Sequence, residues 1–181
     1  MIKQRFLSLF RVIGILLMLE AFFMLLSLAI AIAYGTNDIL PLGISTGITL
    51  IVGLSLRVFI RKPKQGQIDR KLGYMIVAMI WLFMSLFGAL PYFIGGYTQS
   101  YFDAFFESMS GFSTTSATIM TNIEALPNGI LFWRSLTNWI GGVGIVVIVI
   151  SFVPFFGGGG MSLFAAEVTG PNKDKLSPHI R

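Results

Sequence analysis

The chain has 181 residues, 55% of them hydrophobic and 12% charged, against about 25% charged in soluble globular domains. That balance, with a mean hydropathy of +0.80, excludes a soluble domain and indicates an integral membrane protein. The formal charge of +5 does not indicate nucleic acid, because Lys and Arg flank the apolar segments and so report topology, and the absence of Cys excludes a disulfide framework and thiolate chemistry.

Met1–Arg11 is short and basic, with Lys3, Arg5 and Arg11. Val12–Ala33 is almost wholly apolar and roughly 33 Å long as a helix. A signal peptide has an apolar region of only about 7–15 residues, so this segment is expected to cross the membrane. Tyr34–Pro41 holds Gly35, Asn37, Asp38 and Pro41 and reads as a turn. Leu42–Ile60 is the second expected span; Gly43, Gly47 and Gly53, with Ser45, Thr46 and Thr49, suit close helix approach in lipid. Arg57–Lys71 is a basic loop carrying Arg57, Arg61, Lys62, Lys64, Arg70 and Lys71, broken by Pro63 and Gly66. Leu72–Ile94 is the third span, and Pro91 near its end stops or kinks the helix. Ile130–Phe156 is the last, with Gly141, Gly142 and Gly144 inside it and Pro154 and Gly157–Gly160 ending it. Met161–Arg181 is a polar tail.

Gly95–Asn128 lies between the third and last spans. Within it Ser100–Met109 is a short apolar helix flanked by Phe102, Phe105 and Phe106. At roughly 15 Å it reaches half of a hydrocarbon core, so it enters the membrane without crossing it. The chain then turns at Gly111–Ala117 at membrane depth, where non-helical backbone persists only when packed in protein or lining water. Ser110 through Thr118 is small, hydroxyl-rich and uncharged. Such a turn suits replacement of a cation's hydration shell, which makes the segment a pore loop. The predicted ligands are the backbone carbonyls of Thr114, Thr115 and Ser116, with Ser113 and the hydroxyls secondary. The short helix would aim the negative end of its dipole, about half an elementary charge, at the ion. Gly111 and Glu107 are supporting residues.

The expected fold is therefore all-α and membrane-embedded: four transmembrane helices plus one re-entrant pore helix and filter loop. Residues 1–71 form two leading helices and a basic loop, 72–160 a helix–pore loop–helix repeat, and 161–181 a linker. With the N-terminus, Arg57–Lys71 and the tail in the cytoplasm, only Arg134 falls outside, as the placement of Lys and Arg requires. The pore loop then enters from the external face.

Several residues admit a sharp and a plain reading. Glu107 could attract cations; the reading taken is structural, accepting hydrogen bonds from loop amides or pairing with Arg134. Glu20 lies mid-span, where an ionisable group is costly, and interhelical hydrogen bonding or protonation is expected there rather than transport. Arg134 is expected to snorkel to the interface. His179 is a solvated tail residue, since a metal site needs several ligands. Gly157–Gly160 is read as a flexible exit rather than a gating hinge, and the basic loop implies contact with anionic lipid.

Three sets of residues carry a family likeness. Asp103-Ala104-Phe105-Phe106-Glu107-Ser108-Met109-Ser110-Gly111-Phe112-Ser113-Thr114-Thr115 resembles the first pore loop of the Trk/Ktr/HKT superfamily of potassium and sodium transporters. Leu131-Phe132-Trp133-Arg134-Ser135 and Trp139-Ile140-Gly141-Gly142-Val143-Gly144-Ile145 resemble the helix that follows. Leu163-Phe164-Ala165-Ala166-Glu167-Val168 and Lys175-Leu176-Ser177-Pro178 resemble the linker after it. Met1–Ile60 matches the two extra helices of the TrkH branch by position and hydropathy. The resemblance implies a fold of four helix–pore loop–helix repeats around one pore, of which this chain holds the first. It implies K⁺ as the transported ion, with Na⁺ left open, and no other metal. It also implies a cytoplasmic nucleotide-binding regulatory ring of the TrkA type, a homodimer at full length and a bacterial inner-membrane location. The later repeats and their intramembrane gate loop are absent here, so the chain reads as an N-terminal portion. The family filter usually has Gly after the Thr pair, where this chain has Ser116; Ser at that position also occurs in sodium-permeable plant members, which leaves K⁺ over Na⁺ preference open.

Other functions compete less well. A homotetramer of this chain could supply four loops, but the Thr-Val-Gly-Tyr-Gly filter of such channels is absent. An enzyme is disfavoured because no His/Asp/Glu cluster or paired nucleophile and base occurs. A purely structural membrane protein leaves a polar re-entrant loop unexplained.

Overall fold

The computed structural model describes residues 2–60 and 70–152. Its helices, in chain order, are α1 (Ile2–Tyr34), α2 (Ile39–Phe59), α3 (Arg70–Gly88), α4 (Leu90–Ile94), α5 (Tyr101–Phe112) and α6 (Asn128–Phe152). The described residues contain no strand. The chain divides into two units, Met1–Ile145 and Val146–Arg181; of the second, only the end of α6, Val146–Phe152, is described. Leu9–Tyr34, Ile39–Phe59 and Val77–Ile94 are each long and apolar enough to cross a membrane. Most of the expected basic loop, Pro154, Gly157–Gly160 and the tail with His179 lie outside the described residues. Arg57 stands in the last turn of α2 and Arg70 begins α3, so both ends of that basic stretch are helical.

α1 and α2 form a hairpin. On α1 a stripe of Leu9, Ile13, Leu17, Ala21, Met24 and Ala31 is buried, while Ile15, Leu19, Phe22 and Leu26 on the other side remain exposed, as lipid-facing residues do. The helices touch through backbone: a Cβ on Gly14 would stand 2.9 Å from the Gly53 carbonyl oxygen, and one on Gly53 3.0 Å from the Gly14 carbonyl oxygen. Of the three α2 glycines expected to permit close packing, only Gly53 does so; Gly43 and Gly47 have nothing within 4 Å. The α2 hydroxyls bond back into their own helix, Ser45 to Pro41 O, Thr46 to Leu42 O and Thr49 to Ser45 O, which satisfies them without a partner helix.

The third span is broken between α3 and α4. Pro91 has no N–H to give Phe87 O, and Tyr92 N turns to Ala89 O instead of reaching Gly88 O. Two carbonyls near the break are taken by aromatic donors from later elements: Trp133 Nε1 donates to Gly88 O at 3.1 Å and the Tyr101 hydroxyl to Leu86 O at 2.6 Å. Freed backbone groups at membrane depth need such substitutes, and here they dock α5 and α6 on α3. The central core follows from this: Met24 and Leu42 from the hairpin, Met84 and Tyr92 from the broken span, Ala104 and Phe112 from α5, and Ile130 and Trp133 from α6.

Asp38, in the α1–α2 turn, is fully buried. Its carboxylate accepts from Ile130 N at 2.8 Å, 92 positions away in the chain, and from the Thr36 hydroxyl. It thereby occupies the positive N-terminal end of α6 and satisfies one of that helix's unpaired amides. Asp38→Ala leaves the Ile130 amide buried without an acceptor and is expected to cost about 1–3 kcal/mol, read as a lowered thermal unfolding midpoint in detergent. Asp38→Asn, which keeps an acceptor oxygen, should lose clearly less; equal losses would show that the carboxyl oxygen is not what holds α6.

Candidate functional site

The site is built on α5. Ser100 caps its start: the Ser100 hydroxyl accepts from Asp103 N at 3.1 Å while Ser100 N donates to the Asp103 carboxylate at 3.1 Å, a reciprocal capping box. The helix runs to Phe112 rather than ending at Met109, so Ser110 and Gly111 are helical and not part of the turn. The reason is packing at its end. Phe112 is fully buried, with its ring edge-on to Trp133 at 6.3 Å, and Gly111 is buried where any Cβ would overlap the Thr137 hydroxyl. That burial outweighs the roughly 1 kcal/mol that Gly costs inside a helix. From the other side Gly141 lies against the Phe112 carbonyl, and a Cβ there would overlap it.

The loop then folds back over the helix end. Ser113 N donates to Met109 O at 2.8 Å, Thr114 N to Gly111 O at 2.9 Å, and Thr115 N to Ser110 O at 3.1 Å. The closing carbonyls of α5 are thus used by the loop's own amides. No backbone amide among the described residues donates to the carbonyls of Ser113, Thr114, Thr115 or Ser116 outside helix pairing. Ser113 has right-handed helical backbone (φ −78°, ψ 0°), whereas Thr114 and Ser116 both sit at φ 57°. Left-handed backbone is costly for an L side chain, roughly 1–2 kcal/mol per residue, and a β-branched Thr there is a genuine outlier. Two strained residues in three positions mark a conformation imposed by its surroundings. All four residues are exposed.

Side chains brace that conformation. Ser113 and Thr115 hydroxyls lie 2.8 Å apart, the Ser110 hydroxyl donates to Ala117 O at 2.6 Å, and the Ser116 hydroxyl donates to Asn138 Oδ1 at 3.0 Å. Behind them Glu107, buried on α5, makes both kinds of contact the sequence allowed. It accepts from Ile119 N at 3.3 Å, from the Thr118 hydroxyl at 2.9 and 3.1 Å, and from Arg134 Nε at 2.8 Å. Arg134 therefore does not snorkel away from the protein; its side chain is 20% exposed and paired with a carboxylate that is 1% exposed. Burial makes this pairing worth more than surface solvation, because Glu107 alone would be an uncompensated charge.

The structure brings Glu107, Gly111 and Ser113–Ser116 together on one helix end and its loop. Glu20 lies elsewhere, on α1, fully buried and without a hydrogen-bond partner among the described residues. Thr118, Thr137, Asn138 and Gly141 were missed as site residues. The signal was present on α6: Arg134, Thr137, Asn138 and Gly141 follow steps of three and four that place them on one helix face. A cavity of about 430 Å³ lined by Tyr97, Gln99, Asp103, Ile119, Thr121 and Asn122 lies at the other end of α5 and shares no residue with the loop. Burial first, and the Asp38 carboxylate second, push the Tyr97 phenol at its wall above its ordinary pKa. No group of three metal-ligating side chains occurs among the described residues; the polar groups of Ser113–Ser116 are backbone oxygens and amides and side-chain hydroxyls.

Residues 43–179 match the family profile TrkH, described as a cation transport protein. The Trk system potassium uptake protein TrkH of Halomonas elongata is 37% identical over 172 residues, covering 94% of this chain and 36% of that protein. The Trk system potassium uptake protein TrkH of Escherichia coli K12 is 36% identical over 179 residues, covering 98% of this chain and 37% of that protein. The crystal structure of the potassium transporter TrkH from Vibrio parahaemolyticus matches with a TM-score of 0.78 at 31% identity, over 89% of this chain and 36% of that one. The chain spans little more than a third of the length of the curated relatives it matches.

Breaking the Glu107–Arg134 pair tests its place in the site. Glu107→Gln should destabilise by about 3 kcal/mol, at the low end for a buried pair because Arg134 is partly exposed. Adding Arg134→Gln should recover part of that loss by removing the stranded charge. A double-mutant cycle on thermal unfolding measures the coupling, and strict additivity would show that the two side chains do not act together.

Proposed function

The chain belongs to the TrkH family of cation transport proteins, which are transporters rather than enzymes, and from that membership we propose that it serves potassium uptake as the first pore repeat of a larger polypeptide. It is a multi-pass membrane protein. In this reading α1, α2, the broken pair α3–α4, and α6 are the four crossings, and α5 is re-entrant. The four crossings divide as two leading helices over 1–71 and a repeat over 72–160, with 161–181 running toward a second repeat. The observation that carries the reading is the set of carbonyls at Ser113, Thr114, Thr115 and Ser116. They stand at the C-terminal end of a short helix capped by Ser100 and have no amide partner outside helix pairing among the described residues.

The backbone geometry supports cation binding there. In extended chain, successive carbonyls alternate sides. Positive φ at Thr114 and Ser116 reverses alternate peptide planes, so that successive oxygens can face one side. One loop supplies a quarter of a coordination shell, and three further repeats would complete it. The relatives' greater length, 172 aligned residues making 36% of the Halomonas elongata protein, leaves room for them. K⁺ is the proposed ion, with Na⁺ permeation the alternative that Ser116 raises. A TrkA-type regulatory ring on the cytoplasmic side, a homodimer of the complete polypeptide and an inner-membrane location complete the proposal. The basic residues of Met1–Arg11 and Arg57–Lys71 support a cytoplasmic N-terminus.

That orientation is checked with single Cys residues at Gly66 and Gln99 and an impermeant thiol reagent on intact cells. Labelling at position 99 but not 66 is expected; the reverse would put the loop on the wrong face.

The filter is tested in the complete polypeptide by paired K⁺ and Na⁺ uptake in a strain without its own uptake systems. Ser116→Gly relieves about 1–2 kcal/mol of backbone strain and forfeits the bond to Asn138, worth about 1 kcal/mol, so folding should change little. It should raise K⁺ over Na⁺ preference by up to about tenfold, or about 1.4 kcal/mol. Thr115→Pro fixes φ and removes the amide that bonds Ser110 O, and should abolish uptake. An unchanged ratio with normal uptake by Thr115→Pro would remove the loop from the conduction path.

A further inference from the structure

The loop sorts its amides and carbonyls by direction. Thr114 N donates to Gly111 O at 2.9 Å, Thr115 N to Ser110 O at 3.1 Å and Ser116 N to the same Ser110 O at 3.4 Å. Across a planar trans peptide the N–H and the C=O point opposite ways. Three successive amides are thus turned in toward the end of α5, and the carbonyls that share their peptide planes, those of Ser113, Thr114 and Thr115, are turned away from it. The first two amide bonds are of ordinary length. The third, at 3.4 Å, lies beyond the usual range of about 2.7–3.2 Å. Backbone bonding therefore holds Ser116 least firmly of the three. Yet its φ of 57° sets the tilt of the Thr115–Ser116 peptide, and with it the aim of the Thr115 carbonyl.

A side chain of α6 supplies the missing hold. The Ser116 hydroxyl donates to Asn138 Oδ1 at 3.0 Å, and Asn138 Nδ2 donates to Arg134 O, one turn earlier, at 3.2 Å. The second bond decides which way the Asn138 amide faces. Turned over, it would set its own carbonyl oxygen against that of Arg134 and offer Ser116 no acceptor. The Arg134 side chain is in turn paired with buried Glu107, so Asn138 stands on a stretch of α6 that the ion pair keeps against α5. Thr114 shares the φ of 57° but has the short amide bond to Gly111 O. Ser116 is the strained residue that depends on a side-chain partner.

We propose that Asn138 is a specificity-determining positioning residue: by accepting from the Ser116 hydroxyl it holds Ser116 at positive φ, aims the Thr115 carbonyl and so sets the discrimination between K⁺ and Na⁺. The inference rests on the reading of Ser113–Ser116 as the ion-selecting loop. Asn138 acts through Ser116 and touches no ion. K⁺ and Na⁺ differ in size, so moving one ligand oxygen changes their relative binding, and one neutral hydrogen bond is of the size that separates two ions by about tenfold.

The test is the ratio of K⁺ to Na⁺ uptake by the complete polypeptide carrying Asn138→Leu, measured with Ser116 intact and again together with Ser116→Gly. Leu matches Asn in shape and lacks the acceptor. With Ser116 intact the ratio should fall, by up to about tenfold, or about 1.4 kcal/mol. Together with Ser116→Gly there is no hydroxyl to hold, and Gly takes positive φ without a side-chain clash, so Asn138→Leu should add no change to the ratio. A merely structural role would act in both backgrounds alike. The amount of each variant in the membrane is measured alongside, and Asn138→Ala repeats the comparison with a smaller side chain. Where Ser116→Gly alone shifts the ratio, the loop reading stands. The Asn138 inference is then overturned by an equal effect in both backgrounds, by no effect in either, or by failure of both Asn138 variants to accumulate. A ratio that Ser116→Gly leaves unmoved would remove the loop reading and the inference together.

Discussion

The buried carboxylate of Glu107 is the constraint on which the loop depends. A single side chain, 1% exposed, collects a hydroxyl and an amide from the returning segment and a guanidinium from the next helix. Two donors are neighbours in the returning segment and the third lies on the next helix, so the chain after Ser116 cannot shift without stranding the charge. Hydrogen bonds to an ionised acceptor are roughly twice as strong as neutral ones, and in a low-dielectric interior the penalty for leaving one unmade is larger still. This is how two residues with left-handed backbone are held: the strain at Thr114 and Ser116 is small beside the cost of dismantling the carboxylate's shell.

The same accounting governs the rest of the unit. At four places where a helix stops or breaks, a freed backbone group finds a named donor or acceptor from outside its helix. Leu86 O has Tyr101, Gly88 O has Trp133, Ile130 N has Asp38, and Ser110 O has Thr115 N. Three of those four bonds join segments far apart in sequence. Satisfying the backbone and assembling the tertiary structure are therefore one process here, with aromatic side chains acting as both packing volume and polar donors.

Much of this fold was legible in the chain. Long apolar runs gave the hairpin and the third span, because lipid imposes length and composition on any crossing helix. Pro91 marked the break, and the short helix before the hydroxyl-rich turn was evident from its length. What periodicity could not reveal was where that helix ends. Gly111 reads as a turn residue, yet it is helical because Thr137, 26 positions later, needs the space its missing Cβ leaves. Arg134 looked like an interfacial residue for the same reason: its partner lies on another element, and hydropathy carries no information about pairing. Asn138 was hidden inside an apolar helix, although its spacing from Arg134 and Gly141 placed it on the loop-facing side. Ser116 was the most informative single letter. The preference for glycine at that position foretold a backbone of positive φ, and Ser116 adopts it at φ 57° with a hydrogen bond to Asn138 as its brace.

Asp38 has a consequence for biosynthesis. It leaves the ribosome with the leading hairpin, yet the amide it serves is 92 residues further along. At about 5–20 residues per second, translation takes roughly 5–18 s to cover that interval. Throughout it the Thr36 hydroxyl is the acid's local companion. The hairpin thus inserts with an unfilled acceptor at one end, and the arrival of Ile130 N fills it. Insertion of the last helix is in this way linked to correct seating of the first two, and a nascent chain whose hairpin has misregistered presents no hook for α6 to engage.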